Sequence, residues 1–157
     1  EKLSVPLREE LDFVQTYIGL ERDRVGENFI LDLSVDTTLD VEKIIVPSMI
    51  VQIPVENAIK HGLAGMEGEK RLEISVMPEG NGVRIMIADN GRGYLPQVMS
   101  PTRGTGTGLK VLYQTIQLLN AKNKGEKIRF EITNLADGMR TGTGVSVYIP
   151  CNYSYDL

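Results

Sequence analysis

The sequence predicts an α/β domain: a two-layer sandwich in which helices cover one face of a mixed, mainly antiparallel sheet. Three observations carry this. Several segments alternate apolar and polar residues with the period of two expected of a half-buried strand. Two of them flank a turn-rich stretch and read as a hairpin, which implies antiparallel pairing. Stretches with helical apolar spacing lie between the strands and supply the second layer.

With 157 residues, 41% of them hydrophobic, the chain suits one domain with one continuous core and needs no disulfide or metal to hold it. A net charge of −4 and the absence of any Lys/Arg-rich run argue against nucleic acid or an anionic membrane surface as the main partner. Cys151 is the one cysteine, so an intramolecular disulfide is excluded and a reducing compartment is expected. No apolar run is long enough to cross a bilayer and no signal peptide is recognisable. The first residue is Glu1 rather than Met, which suggests a chain cut from something longer.

From Pro6 to about Arg24 the spacing predicts a helix, with Pro6 at its first position, Glu9 and Glu10 at its positive end and Arg22 and Arg24 at the other. Leu7, Leu11, Val14 and Ile18 form one apolar stripe, and Phe13, Tyr17 and Leu20 widen it towards a second. Residues 29–35 alternate as a strand. A second helix is expected from near Pro47 to Gly62, kinked at Pro54, because an interior proline costs about 3 kcal/mol. Leu72, Ile74 and Val76, then Pro78 to Gly82, then Val83, Ile85 and Ile87 make the hairpin. A helix follows Gly104–Leu109 and runs to about Lys122. Ile128 to Thr133 and Val145 to Ile149 are the last strands, and Cys151 to Leu157 is expected to be a loosely held tail.

Three stretches carry chemistry. On a helix, Gln52, Glu56, Lys60 and Asn57 fall within one arc of about 140° at about 100° per residue, opposite Val51, Pro54, Val55, Ala58 and Ile59. A carboxylate, an amide oxygen and an ammonium so arranged suit a base or water orienter, a Mg²⁺ ligand and a phosphate contact; a solvated helix face is the plain alternative. Asp89 ends a strand before Gly91 and Gly93, which would let a flat ring lie against the backbone. Its carboxylate suits the exocyclic amine of adenine, where guanine presents a carbonyl; a turn closing a hairpin is the plain alternative. Gly104-Thr105-Gly106-Thr107-Gly108 before a helix suits close approach of backbone N–H groups to phosphate, or a flexible hinge. It has neither P-loop spacing nor a dinucleotide fingerprint, since Ile128 stands where the ribose-binding acid would be wanted. His61, the only histidine, permits no metal cluster or catalytic triad built on several, and reads as structural or as a minor polar contact.

In order, Glu56-Asn57-Ala58-Ile59-Lys60, then Asp89-Asn90-Gly91-Arg92-Gly93, then Gly104 to Leu109, then Gly142-Thr143-Gly144-Val145 to Pro150 resemble the ATP-binding catalytic domain of sensor histidine kinases, of the GHKL or Bergerat fold. Leu7-Arg8-Glu9-Glu10-Leu11 with Tyr17, Leu20-Glu21 and Arg24, followed by Gln52 and Val55 to Gly62, resembles the LytS/YehU-type subfamily. The resemblance implies Asn57 as Mg²⁺ ligand, Lys60 as phosphate contact and Glu56 as support for phosphoryl transfer. It implies Asp89 as acceptor from the adenine amine, with Gly91 and Gly93 beside the ring and Thr143 close to it. Tyr94 to Arg103 would be the ATP lid, and Gly104, Thr105, Gly106, Thr107, Gly108 and Leu109 its phosphate-side end.

Three departures stand out. The proline of the usual Gln-Pro-Leu-Val-Glu-Asn order is shifted by one residue, to Pro54, and Lys110 stands where the subfamily often has Asn. The Asn-Pro-His-Phe segment with the phospho-accepting histidine does not occur and is expected upstream of Glu1. The resemblance therefore implies residues 1–25 as the end of a linker from a dimerisation and phosphoacceptor segment, 26–150 as the catalytic domain and 151–157 as a tail. The implied partners are ATP, that upstream segment in a homodimeric parent, and a response regulator of LytTR type. The implied location is the cytoplasmic side of a membrane in which the parent is anchored. A GHKL-type ATPase, an anti-sigma-type serine kinase and a non-catalytic ATP-sensing module share these motifs.

Overall fold

The computed structural model describes residues 3–92, 107–135 and 141–156. Strand β1 (Ser4–Pro6) leads into α1 (Leu7–Leu20), a short α2 (Arg22–Val25) and β2 (Phe29–Val35). Then come β3 (Ile45–Pro47), α3 (Gln52–Asn57), a π-helical turn (Ala58–Leu63), β4 (Lys70–Glu79), β5 (Gly82–Asp89), α4 (Thr107–Lys122), β6 (Arg129–Asn134) and β7 (Thr143–Ile149). The main sheet runs β2-β4-β5-β7-β6, with β2 parallel to β4 and every other neighbour antiparallel. This is the mixed, mainly antiparallel sheet expected.

Its two faces differ as alternation requires. Leu72, Ile74 and Val76 of β4, Ile85 and Ile87 of β5, and Val145, Val147 and Ile149 of β7 are buried. Against them pack Leu7, Leu11, Val14 and Ile18 of α1, Leu109, Leu112 and Ile116 of α4, and Ile53, Val55, Ile59 and Leu63 of the central helix. Each such side chain contributes about 1.5–3 kcal/mol when fully buried, so this layer holds the fold. The other face is polar, with Arg71 paired to Asp32 at 2.7 Å and Arg84 to Glu79 at 2.5 Å.

The structure corrects several expectations. Helix α1 stops at Leu20 rather than continuing to Arg24, and Pro6 belongs to β1, which pairs with β3 in a small second sheet. The central helix starts at Gln52, not near Pro47, because Met49 takes a positive φ of 72° and breaks the preceding turn. Pro54 thereby falls in the first turn, where N–H groups have no intrahelical acceptor, and its missing donor costs little. The departure from α geometry comes instead at Ala58, where the helix widens and Ala64 N–H reaches back to the Ile59 carbonyl at 3.0 Å. The tail is held. Tyr153 Oη donates to Asn120 Oδ1 at 2.6 Å, Tyr155 Oη donates to the Ile45 carbonyl at 2.9 Å, and Asn123 bonds both the N–H and the carbonyl of Ser154.

Candidate functional site

Asp89 is the last residue of β5, opposite Leu72 on one side and Thr143 on the other. Alternation points its side chain into the helix-covered layer with Ile85 and Ile87, so the carboxylate is buried at 8% exposure and Thr143 at 4%. Burial pushes the Asp89 carboxyl up to about 6, against main-chain hydrogen bonds from Gly91 and Thr143 that hold it down. The Gly91 N–H donates to Oδ1 at 2.8 Å.

Two glycines let backbone segments approach closely around this carboxylate. A Cβ at Gly62 would stand 3.0 Å from Asp89 Oδ1, and a Cβ at Gly91 would collide with the backbone of Gly62. The loop after Asp89 therefore lies directly on the end of the π-helical turn, where Arg92 N–H donates to the Gly62 carbonyl at 3.2 Å. Asn90 pins the loop from the other side, accepting from Arg71 N–H at 2.7 Å and donating to the Glu69 carbonyl at 2.9 Å. Thr141 Oγ1 donates to the Gly91 carbonyl at 2.6 Å.

The central helix supplies the second side. Val51, Ile53, Pro54, Val55, Ala58 and Ile59 are buried, while Gln52, Glu56 and Asn57 are half-buried and Lys60 is exposed. This is the division into a packing face and a polar face that the sequence predicts, although Lys60 stands in the π-helical turn, where 100° spacing no longer applies. Gln52 Nε2 donates to Glu56 Oε2 at 3.3 Å. His61 is exposed, which removes a packing role. Among the described residues no group of three or more His, Cys, Asp and Glu side chains is placed to hold a metal.

The structure thus brings Asp89, Gly91, Thr143 and Gly62 together and sets them beside the helix of Glu56, Asn57 and Lys60. Gly108 and Leu109 lie in the first turn of α4, with Leu109 buried and Gly108 against Ile53. Thr107 opens that helix; Gly93, Tyr94 to Arg103, Gly104, Thr105 and Gly106 lie outside the described residues.

The model of histidine kinase-, DNA gyrase B- and HSP90-like ATPases matches residues 44–152, which include every part of this site. The chain belongs to that family. Its place among ATPases makes ATP the nucleotide for which the fold is built. Sensor protein LytS of Bacillus subtilis is 30% identical over 157 residues, covering 95% of this chain and 25% of that protein. Sensor histidine kinase YpdA of Escherichia coli is 30% identical over 151 residues, covering 93% of this chain and 24% of that protein. The chain thus spans about a quarter of the length of these curated relatives. The fold matches the histidine kinase domain of the blue-light activated kinase of Erythrobacter litoralis, with TM-score 0.66 and 20% identity over 96% of this chain and 64% of that one. It also matches the catalytic domain of histidine kinase ThkA, with TM-score 0.62 and 16% identity over 96% of this chain and 95% of that one.

Sequence reasoning missed two residues near the site. Glu10, read as favouring the start of its own helix, is 5% exposed and bonds instead to the backbone leading into α3. Its signal was position: it lies on the α1 face that carries Leu7, Leu11, Val14 and Ile18. Tyr17 stacks on Phe13 with ring centroids 5.7 Å apart, and its buried hydroxyl makes no hydrogen bond among the described residues. Burial first, then the Glu21 and Glu56 carboxylates, push this hydroxyl up to about 12.

Proposed function

We propose that this chain is the ATP-binding catalytic domain of a two-component sensor histidine kinase, and that it presents the γ-phosphoryl group of ATP to a histidine on an upstream segment of its parent. The observation that carries the reading is the buried Asp89 carboxylate, paired across strands with Thr143, faced by Gly62, which sets no side chain against it, and placed beside the helix of Glu56, Asn57 and Lys60. Asp89 accepts the adenine amine, and Thr143 and Gly91 flank the ring together with Gly93. Lys60 contacts phosphate, and Arg103, Gly104, Thr105, Gly106, Thr107, Gly108 and Leu109 bind the nucleotide on its phosphate side. Glu56, held by Gln52, orients the attacking imidazole.

A half-buried Asn57 amide oxygen suits Mg²⁺, which takes few protein ligands and would leave the rest of its shell to phosphate oxygens and water. Asn57 would hold Mg²⁺, and the chemistry it would supply is neutralisation of charge on the transferring phosphoryl group. Residues 1–25 form the end of the linker from the dimerisation segment, 26–150 the catalytic domain and 151–157 the tail. The parent acts as a homodimer, passes the phosphoryl group to a response regulator of LytTR type, and is anchored in a membrane with this domain on the cytoplasmic face. No helix among the described residues is long and apolar enough to cross a membrane.

The test is incubation of the parent chain with ATP labelled on the γ-phosphate. Acid-labile, base-stable label on the protein is the expected result. Rapid ATP hydrolysis with no labelled protein would point to a GHKL-type ATPase, and label stable to acid would point to a serine kinase.

A further inference from the structure

Glu10 joins two elements that are 39 to 42 residues apart in sequence. Its Oε1 accepts from Val51 N–H at 2.9 Å and from Gln52 N–H at 3.1 Å, and its Oε2 accepts from Met49 N–H at 3.1 Å. These are donors at the start of α3 that have no carbonyl four residues back within the helix. The first donors of α1 itself are met elsewhere, since Leu7 N–H bonds the Ile44 carbonyl at 2.7 Å and Arg8 N–H bonds the Val41 carbonyl at 3.0 Å. The Glu10 carboxylate thus accepts three hydrogen bonds from the backbone that enters α3. It also bonds the N–H of Met49, the residue with a φ of 72°, and so supports the backbone bend that makes Gln52 the first residue of α3.

We propose that Glu10 is a positioning residue for the nucleotide site: by clamping Met49, Val51 and Gln52 to α1, it sets the start, and hence the rotation, of the helix that carries Glu56, Asn57 and Lys60. Gln52 belongs both to the clamp and to the Glu56 contact, so the two are one residue apart in the chain of hydrogen bonds. Helices α1 and α3 are also packed neighbours in the fold. A shift or rotation of α1 is transmitted through the carboxylate to the polar face of α3. This inference rests on the nucleotide reading above for its functional consequence, and on the hydrogen bonds alone for the clamp.

Glu10→Gln tests it. The amide keeps the shape but places an N–H₂ against one of the backbone donors. Val14→Ala, a buried change on the same helix away from the clamp, controls for simple loosening of α1. Amide hydrogen exchange and calorimetric Mg²⁺-ATP affinity are measured for both and for the unaltered chain. The expected result is faster exchange in Glu10→Gln from Met49 through Leu63, beyond that of Val14→Ala, with affinity about tenfold weaker, the scale seen when a partner that orients a metal ligand is removed. Exchange and affinity matching Val14→Ala would overturn the proposal, as would faster exchange confined to Met49–Gln52 with unchanged affinity. If the unaltered chain binds no ATP, the nucleotide reading fails by itself. The clamp is then decided by whether exchange quickens as far as Asn57 and Lys60. Should Glu10→Gln not fold, Glu10→Asp keeps the charge one methylene short and is expected to show the same pattern at smaller amplitude; no change there overturns the proposal.

Discussion

Asp89 and Thr143 stand directly opposite each other on β5 and β7, both buried, at the end of the sheet where the chain leaves β5 for the loop that rests on the π-helical turn. An ionisable carboxylate held in such a place lowers the stability of the domain unless something binds it. Its role is therefore sought in a ligand.

The first prediction concerns pH. The Asp89 carboxyl titrates near 6 in the folded chain against 3.8 unfolded, so the folded state holds its proton more tightly. Its contribution favours folding below the unfolded value and is lost as pH rises through the folded one. The difference corresponds to about 2–3 kcal/mol. Asp89→Asn, which cannot ionise, is expected to become progressively more stable than the unaltered chain between pH about 4 and about 6, and the gap to stay constant above that. Thermal unfolding of both across this range reads it out; parallel curves would show that Asp89 is not strained by burial.

Asp89→Asn should at the same time weaken ATP binding about tenfold or more, because a hydrogen bond to a charged acceptor is worth about 1.5–3 kcal/mol. Opposite effects of one substitution on stability and affinity separate a ligand-binding carboxylate from a structural one. Calorimetric titration of the variant near neutral pH supplies the second number.

Gly62 and Gly91 make different predictions although both lie by Asp89. A methyl group at Gly91 meets the Gly62 backbone, so Gly91→Ala is expected to cost about 1–3 kcal/mol of stability in urea denaturation. At Gly62 the nearest atoms it meets are those of the Asp89 carboxylate, at 3.0 Å, so Gly62→Ala is expected to weaken ATP binding with a smaller loss of stability. Equal stability losses would mean that the space beside Asp89 is not kept for a ligand.

Asn57→Ala is expected to reduce the gain in ATP affinity that Mg²⁺ brings, while leaving metal-free binding nearly unchanged. Titrations with and without Mg²⁺ give the two numbers. Equal loss in both would move the metal contact to another residue.

What the sequence made legible was what repeats. Alternation located β2 at Phe29–Val35 and placed β4 and β5 within a few residues, and the buried and polar faces of the central helix followed from its spacing. Features set by single tertiary contacts were not legible. Three-residue strands such as β1 and β3 are too short to show a period. The π-helical turn has no periodicity of its own to announce it. Tyr153 and Tyr155 looked like isolated residues in a polar tail until Asn120 and the Ile45 carbonyl stood opposite their hydroxyls. Glu10 had an innocent local explanation at a helix start, and only the fold reveals that its partners lie on another helix. At the site, residue types and order pointed to Asp89, Gly91 and Thr143, while the approach of Gly62 to Asp89 depends on packing between segments far apart in sequence.

The most direct measurement is calorimetric titration of this chain with ATP in the presence of Mg²⁺, with GTP as the competitor. Saturable binding of ATP, strengthened by Mg²⁺ and at least tenfold tighter than that of GTP, is the predicted result, since guanine sets a carbonyl against the Asp89 carboxylate. Equal affinity for the two nucleotides would contradict the assignment of Asp89, and no binding of either would contradict the nucleotide site itself.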